Sequence, residues 1–513
     1  MKDFIQLISP TKDIRPLAAL LSVLTFVTAV NTPNPLNNDG ALYLQTAEVF
    51  ARSGWQAAMQ VYGWPFYSVL IAWSAKLTSL SFEHAAYVLN AVLLVVIVTT
   101  FITLIKEIGA SRTVQFFGAI VILSHPRLNH YQNYIIRGFG YWAFSLLSVL
   151  YLLRYYRRPL WRYALGWGTC ISVATLFRIE GATLCCFIPL VLLFRSNTGL
   201  WSRLGHALKA YTVNIIILSG LLTWWFCAPD LSSAQLGRLS EFWSQFQSGL
   251  MLSNTNLQNK AALISQTVSD DASKTWGLIM TFTSLAGMYL YRLVKTLWPL
   301  HVLLCAYGIY KKLMPTEDGA KKVLTYFALL NLLIPAIHIG QTSFISHRFV
   351  MLASLLLLLW SPFSLNSIFQ HWRDKKRVLT AKSLLFPSLS LVLLIMFVCA
   401  FIPPKQPKAY VVSAGTWLKH NMPEQAKLYS NKRAITFYAQ RQFVSWDISE
   451  KPPIRGWTPD DFIALRVKRN RYEKISKRLT ELELKAIKVF ANKRGDRVII
   501  LKGSKGQKQP KSD

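Results

Sequence analysis

Acidic residues are scarce in this chain. Its 513 residues include 24 Asp and Glu against 57 Lys and Arg, and only 16% are charged at all, where an ordinary soluble domain has about 25%. That scarcity excludes a large soluble protein with a conventional charged surface. Metal-binding spacings are also missing. The six cysteines (Cys170, Cys185, Cys186, Cys227, Cys305 and Cys399) lie in apolar segments. None stands at zinc-ligand spacing with histidine, and no HExxH pattern occurs. They read as small buried residues and do not report a redox compartment. The alternation of a membrane β-barrel is absent, and so is a repeat that would mark an inverted-repeat transporter.

What the chain has instead is apolar length. It is 52% hydrophobic with 17 Trp, and its mean hydropathy is +0.30. Apolar runs recur through residues 16–402, many of them long enough to cross about 30 Å of hydrocarbon. They read as eleven spans: 16–30, 84–105, 113–123, 138–153, 163–177, 182–194, 211–227, 297–310, 323–339, 349–368 and 383–402. Segments 65–80 and 276–294 carry basic residues within short or interrupted apolar runs, and read as interfacial helices. Lys and Arg gather after alternate spans, at Lys106, Arg112, Arg154, Arg157, Lys311 and Arg373. Basic loops mark the cytoplasmic side, so the N-terminus is expected in the cytoplasm and the residues after 402 outside.

The net charge of +33 would point to nucleic acid in a soluble protein. Here much of it orients helices, and no nucleic-acid partner is expected; membrane lipids are. The remainder lies in residues 403–513, which hold 25 Lys and Arg against 10 Asp and Glu. An anionic partner such as lipid phosphate or a charged glycolipid suits that excess, as does plain solubility. Pro403, Pro404 and Pro407 mark a linker. Helix-like stretches (413–421, 460–483) and strand-like ones (427–430, 486–490, 497–501) follow. The expected fold class is an α-helical polytopic membrane protein with a small C-terminal extracytoplasmic α/β domain. Residues 1–402 form the membrane domain, with outer loops 31–83 and 228–296. Residues 403–502 form the α/β domain, and 503–513 a disordered basic tail.

Sorting polar residues by expected side leaves a distinctive set on the outer face: Asp39, Glu48, Arg137, Arg178, Glu180, His347 and Arg348. Ionisable residues at span margins are costly to bury and tend to mark functional sites. Asp39 stands on a polar turn, Asn37-Asn38-Asp39-Gly40, where a carboxylate serves equally as a helix cap or a general base. Arg178 and Glu180 suit either an ion pair or a site. Arg137 and Arg348 suit either headgroup anchors or phosphate ligands, because the arginine fork donates paired hydrogen bonds. His125, His130 and His338 read as interface or packing residues.

The order of these motifs resembles the GT-C glycosyltransferases, in particular bacterial members of family 39 related to protein O-mannosyltransferases and the lipid A aminoarabinose transferase. Asn38-Asp39-Gly40 is followed by Gly63-Trp64-Pro65-Phe66-Tyr67-Ser68-Val69-Leu70. Arg137, the turn Phe177-Arg178-Ile179-Glu180-Gly181 and His347-Arg348-Phe349 come after in the same order. Gly415-Thr416-Trp417-Leu418-Lys419 and Leu428-Tyr429-Ser430-Asn431 resemble the outer domain of bacterial members. The chain departs from the family where Gly138-Phe139 follow Arg137 in place of an acid, and where Phe349 replaces a Tyr.

The resemblance implies inverting transfer of a sugar from a polyprenyl-phosphate donor to a glycolipid, protein or glycan acceptor. It implies Asp39 as base, Glu180 as a secondary acid, and Arg137, Arg178, His347 and Arg348 as donor-binding residues. It implies no catalytic metal and no cofactor. Two other readings stay open from residues alone: a transporter or flippase of lipid-linked saccharides, and a non-catalytic membrane scaffold whose basic domain recruits partners.

Overall fold

The computed structural model describes residues 13–31, 35–195, 199–227, 255–268, 274–315, 317–374, 381–402, 408–446, 460–481, 484 and 486–502. The 503–513 tail, the 403–407 linker and residues 228–254 and 269–273 of the long loop lie outside them. The chain divides into two compact units. One comprises Met1–Val27, Val88–Gln132 and Arg137–Ile402; the other comprises Thr28–Tyr87, Asn133–Ile136 and Pro403–Asp513.

In chain order the helices preceding the C-terminal domain are α1 (Arg15–Val30), α2 (Asn38–Val61), α3 (Phe66–Thr78), α4 (Phe82–Glu107), α5 (Arg112–Leu123), α6 (Pro126–Tyr131), α7 (Gly138–Arg157), α8 (Trp161–Phe177) and α9 (Glu180–Phe187). They continue with α10 (Leu200–Cys227), α11 (Thr255–Val268), α12 (Lys274–Leu297), α13 (Pro299–Tyr310), α14 (Asp318–Thr342), α15 (His347–Leu357), α16 (Ser361–Asp374) and α17 (Ala381–Phe401). Among the described residues, six helical stretches are long and apolar enough to cross a membrane: Phe82–Glu107, Leu200–Thr223, Trp276–Leu297, Gly319–Thr342, His347–Asp374 and Leu384–Phe401. The third of these is the stretch read as interfacial. Its Arg292 and Lys295 fall in the last turns of α12, where Arg292 donates a hydrogen bond to His347, and the apolar length lies before them. Ile216, Leu218, Leu391 and Leu394 on α10 and α17 are largely exposed. Apolar faces of that extent need hydrocarbon or another protein surface to cover them.

The helical unit packs through small residues. α7 and α8 form a hairpin in which Gly140 lies directly under the ring of Phe177, and the Cβ position of Gly166 lies 2.6 Å from the ring of Tyr151. Small residues let helices approach closely where no hydrophobic drive exists between them. At the opposite end of α7, Arg154 and Arg157 converge on Glu107 at the end of α4, at 2.7 and 3.2 Å. The two arginines therefore tie two helix ends together.

In the second unit the C-terminal domain contains α18 (Ala409–Asn421), β1 (Leu428–Ser430), α19 (Arg433–Tyr438), β2 (Val444–Ser445), β3 (Phe462–Val467), α20 (Tyr472–Glu481), β4 (Ala486–Ala491) and β5 (Arg497–Lys502). The strand order is β2-β1-β3-β5-β4. β1 runs parallel to β2 and β3, and β5 antiparallel to β3 and β4. The expected strands at 427–430, 486–490 and 497–501 are present. The stretch 460–483, expected to be helical throughout, is not: 462–467 is the central strand β3 and only 472–481 is helix. Phe462 and Ala464 pack on the core shared with α18, while Ile463, Leu465 and Val467 pack on the core shared with α20. A strand covered on both faces loses the polar alternation that identifies strands in sequence.

The α7–α8 contact has a direct test. Phe177 is 1% exposed, so the Gly140→Ala methyl has no space. Thermal unfolding of the detergent-solubilised protein should show a loss of about 1–3 kcal/mol, typical of an overpacked core. An unchanged melting temperature would mean that this contact is not tight.

Candidate functional site

Asp39 lies in the second unit, in the first turn of α2. The N-cap position belongs to Asn37, and its side chain does not cap the helix. It bridges instead to a neighbouring segment: Asn37 Nδ2 donates to the Ile135 carbonyl, and the Ile135 amide donates to Asn37 Oδ1, both at 3.1 Å. Of the two local readings of Asp39, the N-cap position is therefore excluded. Its carboxylate sits where the positive end of the helix dipole favours a negative charge, and it is half-buried. Gly40 is required next to it. A Cβ there would stand 2.7 Å from Asn37 Oδ1 and 3.1 Å from Ile135 Cβ, forcing the Asn37 bridge apart.

A second tie comes from the C-terminal domain. The Leu36 amide donates to the Tyr438 hydroxyl at 3.0 Å. Burial, together with the Glu83 charge, pushes the Tyr438 phenol up, so it remains a neutral partner at physiological pH. Tyr438 ends α19, which α18 approaches closely at Gly415. A Cβ on Gly415 would stand 2.5 Å from Tyr438 Cβ and 2.9 Å from the Ile435 carbonyl. The glycine of the Gly415-Thr416-Trp417 motif thus shapes the domain that holds Leu36. Glu48, by contrast, forms an exposed pair with Arg52 one helical turn on, at 2.6 Å.

In the first unit, Arg178, Glu180 and the backbone of Arg348 come together. Arg178 caps the end of α8 in an extended conformation and is 6% exposed. It makes a close ion pair with Glu180, and its Nη1 donates to the Arg348 carbonyl at 3.3 Å. Its guanidinium lies 4.5 Å from the centre of the Phe349 ring and 5.4 Å from that of Tyr141. The charge of Arg137 also acts on Glu180. The Phe that stands in place of a Tyr thus contributes a ring face to the arginine, and His338 stacks on the same ring at 4.5 Å. Arg178, nearly buried beside Glu180, carries the planar fork that suits a phosphate oxygen.

His347 belongs to an adjoining cluster that the sequence did not reveal. Arg292 Nη1 donates to His347 Nε2 at 3.1 Å. Thr296 Oγ1 donates to the Arg292 carbonyl at 2.6 Å, which leaves its lone pairs to receive the His347 Nδ1–H at 2.8 Å. The ring is therefore neutral, protonated on Nδ1. The charges of Arg127, Arg292 and Lys295 converge on it. Below them His125 and His301 stack at 5.8 Å, both fully buried. His125 Nδ1 accepts from the Leu128 amide, and burial, with His301 and Arg127 beside it, brings this ring down to about 3. Arg292 was legible only as a basic residue near the end of an apolar run; nothing in its neighbours indicated His347. Among the described residues, no group of three or more His, Cys, Asp or Glu side chains is placed to hold a metal ion.

No family model matches the sequence, and no curated protein matches it. Solved structures do match the fold. ArnT from Cupriavidus metallidurans, bound to undecaprenyl phosphate, superposes with a TM-score of 0.60 over 97% of this chain and 99% of that one, at 11% identity. The Archaeoglobus fulgidus oligosaccharyltransferase, in complex with Zn and sulfate, gives 0.57 over 90% of this chain and 69% of that one, at 12% identity. The archaeal oligosaccharyltransferase AglB, with an inhibitory peptide and a dolichol-phosphate, gives 0.57 over 90% and 70%, at 11% identity. The fold is that of the GT-C glycosyltransferases.

The ties on the start of α2 are measurable by hydrogen exchange. Asn37→Ala removes both bonds to Ile135 and leaves its amide and carbonyl without that partner, a loss of about 1–3 kcal/mol. Exchange should accelerate across residues 133–136 and the first turn of α2. Tyr438→Phe should accelerate the Leu36 amide alone. Protection that survives Asn37→Ala would show that another contact holds this segment.

Proposed function

We propose that this chain is an integral-membrane glycosyltransferase. It moves a sugar from a polyprenyl-phosphate donor to an acceptor hydroxyl or phosphate on the outer face of a membrane, with inversion. The observation that carries this reading is a carboxylate, Asp39, held at a helix start by two independent ties within a GT-C fold. Undecaprenyl phosphate bound to ArnT and dolichol-phosphate bound to AglB support a polyprenyl-phosphate carrier.

In this mechanism the Asp39 carboxylate accepts the proton of an acceptor hydroxyl while its oxygen attacks the anomeric carbon. The bond from that carbon to the phosphate oxygen breaks, and the polyprenyl phosphate leaves with the negative charge. Arg137, Arg178 and Arg348 bind and polarise that phosphate, where fixed positive charge favours the departing anion. His347 is a further donor-binding residue, and Glu180 is the secondary acid, orienting the Arg178 fork. A single displacement inverts the sugar.

The proposed topology has about eleven spans, a cytoplasmic N-terminus and a location in a bacterial inner membrane. Residues 1–402 form the catalytic membrane domain and 403–502 an extracytoplasmic domain.

With purified protein, a polyprenyl-phosphate sugar and a hydroxyl acceptor, Asp39→Asn should lower transfer about 100-fold or more while donor binding persists. Unchanged transfer removes Asp39 as base. In a background lacking the six native cysteines, Asp39→Cys should react with an impermeant thiol reagent applied from outside the cell membrane. Labelling only from the cytoplasmic side reverses the topology.

A further inference from the structure

The C-terminal domain carries a cleft whose lining does not include Tyr438. It measures about 1060 Å³ and opens at the carboxyl ends of β1 and β3. These strands are parallel neighbours. The chain leaves β1 for β2 on one side and returns to β3 on the other. A crevice at such a switch of strand order is where open α/β sheets bind ligands. Asn431 holds the two strand ends together: its Nδ2 donates to the Arg466 carbonyl at 3.1 Å, and the Arg466 amide donates to its Oδ1 at 2.9 Å.

Seven of the eleven lining residues are Lys or Arg. Lys432, Arg466 and Lys468 come from the strand ends. The second wall is α20, whose two faces differ. Tyr472, Ile475 and Leu479 pack toward the core, and Lys474 and Arg478, one helical turn apart, line the cleft with Lys477, the edge of Ile475 and Arg471 from the turn just before the helix. Glu481 is the one acid in the lining, and Arg478 engages it at 2.8 Å. Among the described residues, no carboxylate pairs with Lys468, Arg471, Lys474 or Lys477. The crowding acts on the charges themselves. Burial, then Arg466 and Lys468, lowers Lys432; burial, then Arg466 and Lys432, lowers Lys408. Like charges held together in a partly desolvated place repel unless an anion lies among them.

We propose that this cleft binds a polyanionic saccharide, one carrying at least two phosphate or carboxylate groups. The concave shape favours a chain that enters between two walls over a flat bilayer surface. Several cations spread along one helix face and two strand ends match repeated charges over a single one. Its use as the acceptor site rests on the glycosyltransferase reading; the binding itself does not.

The test uses the full chain in nanodiscs of phosphatidylcholine, with a fluorescein-labelled heparin tetrasaccharide as probe and fluorescence anisotropy as readout. Wild type should bind the probe, with displacement by unlabelled tetrasaccharide and none by neutral maltotetraose. Lys474→Glu with Lys477→Glu should raise Kd at least about tenfold, since both charges face the ligand. Lys419→Glu with Lys488→Glu makes the same charge change on exposed positions outside the cleft lining, and should leave Kd within about twofold. Lys474→Gln with Lys477→Gln, a milder change on exposed helix positions, should give an intermediate loss with an unaltered melting temperature. Absence of wild-type binding overturns the proposal, as does equal weakening by the control pair. So does a cleft variant that loses binding to phosphatidylglycerol vesicles while retaining the tetrasaccharide, because the cleft is then a headgroup contact. Asp39→Asn should bind the probe like wild type, which separates failure of this proposal from failure of the catalytic one.

Discussion

The first amides of a helix have no partners within it, and a side chain in the first turn is only as fixed as the backbone beneath it. At the start of α2 that backbone is tied from two directions. The Asn37 side chain exchanges two hydrogen bonds with Ile135, and the Leu36 amide reaches the Tyr438 hydroxyl. Gly40 leaves the space that the Asn37 bridge needs, and Gly415 lets α18 and α19 approach so that Tyr438 is in place. The carboxylate of Asp39 inherits its position from residues about 100 and 400 places further along the chain.

Charge in the helical unit obeys a related constraint. An ion removed from water is costly unless another charge or a set of donors compensates it. Arg178 is buried with Glu180, a backbone carbonyl and two aromatic rings around it. At the far end of α7, Glu107 receives two arginines. His347 is held neutral between Arg292 and Thr296. Each arrangement joins elements distant in sequence, so the polar groups at the helix ends also fix which helices lie side by side.

Much of this was legible before any coordinates. Long apolar runs identify helices because only an apolar surface is stable in hydrocarbon, and that signal accumulates over some 20 residues. The contact of Arg178 with Glu180 was readable as an ion pair from their spacing on one turn. The central strand β3 was not legible. Phe462-Ile463-Ala464-Leu465 is apolar on both faces, and a short continuous apolar run reads equally as helix or strand. Arg292 was misjudged for a different reason. Its charge counted against a long apolar helix in sequence, whereas in the fold it stands near the helix end and donates a hydrogen bond to the neutral His347 ring.

By itself, the sequence determined the class of molecule: apolar length and the placement of lysine and arginine make it a helical membrane chain with a basic terminal domain. It also singled out Asp39 and Glu180 as candidates, since few acids are present and fewer stand at helix margins. Only the tertiary structure decided what each does locally. Asn37 takes the N-cap position and bridges to Ile135, Asp39 stands in the first turn, and Arg471, Lys474 and Arg478 line one cleft. Hydropathy adds up along the chain and can be read from it. A hydrogen bond between residues 36 and 438, or a cleft walled by two strand ends and a helix, depends on how distant segments meet. No local pattern records that.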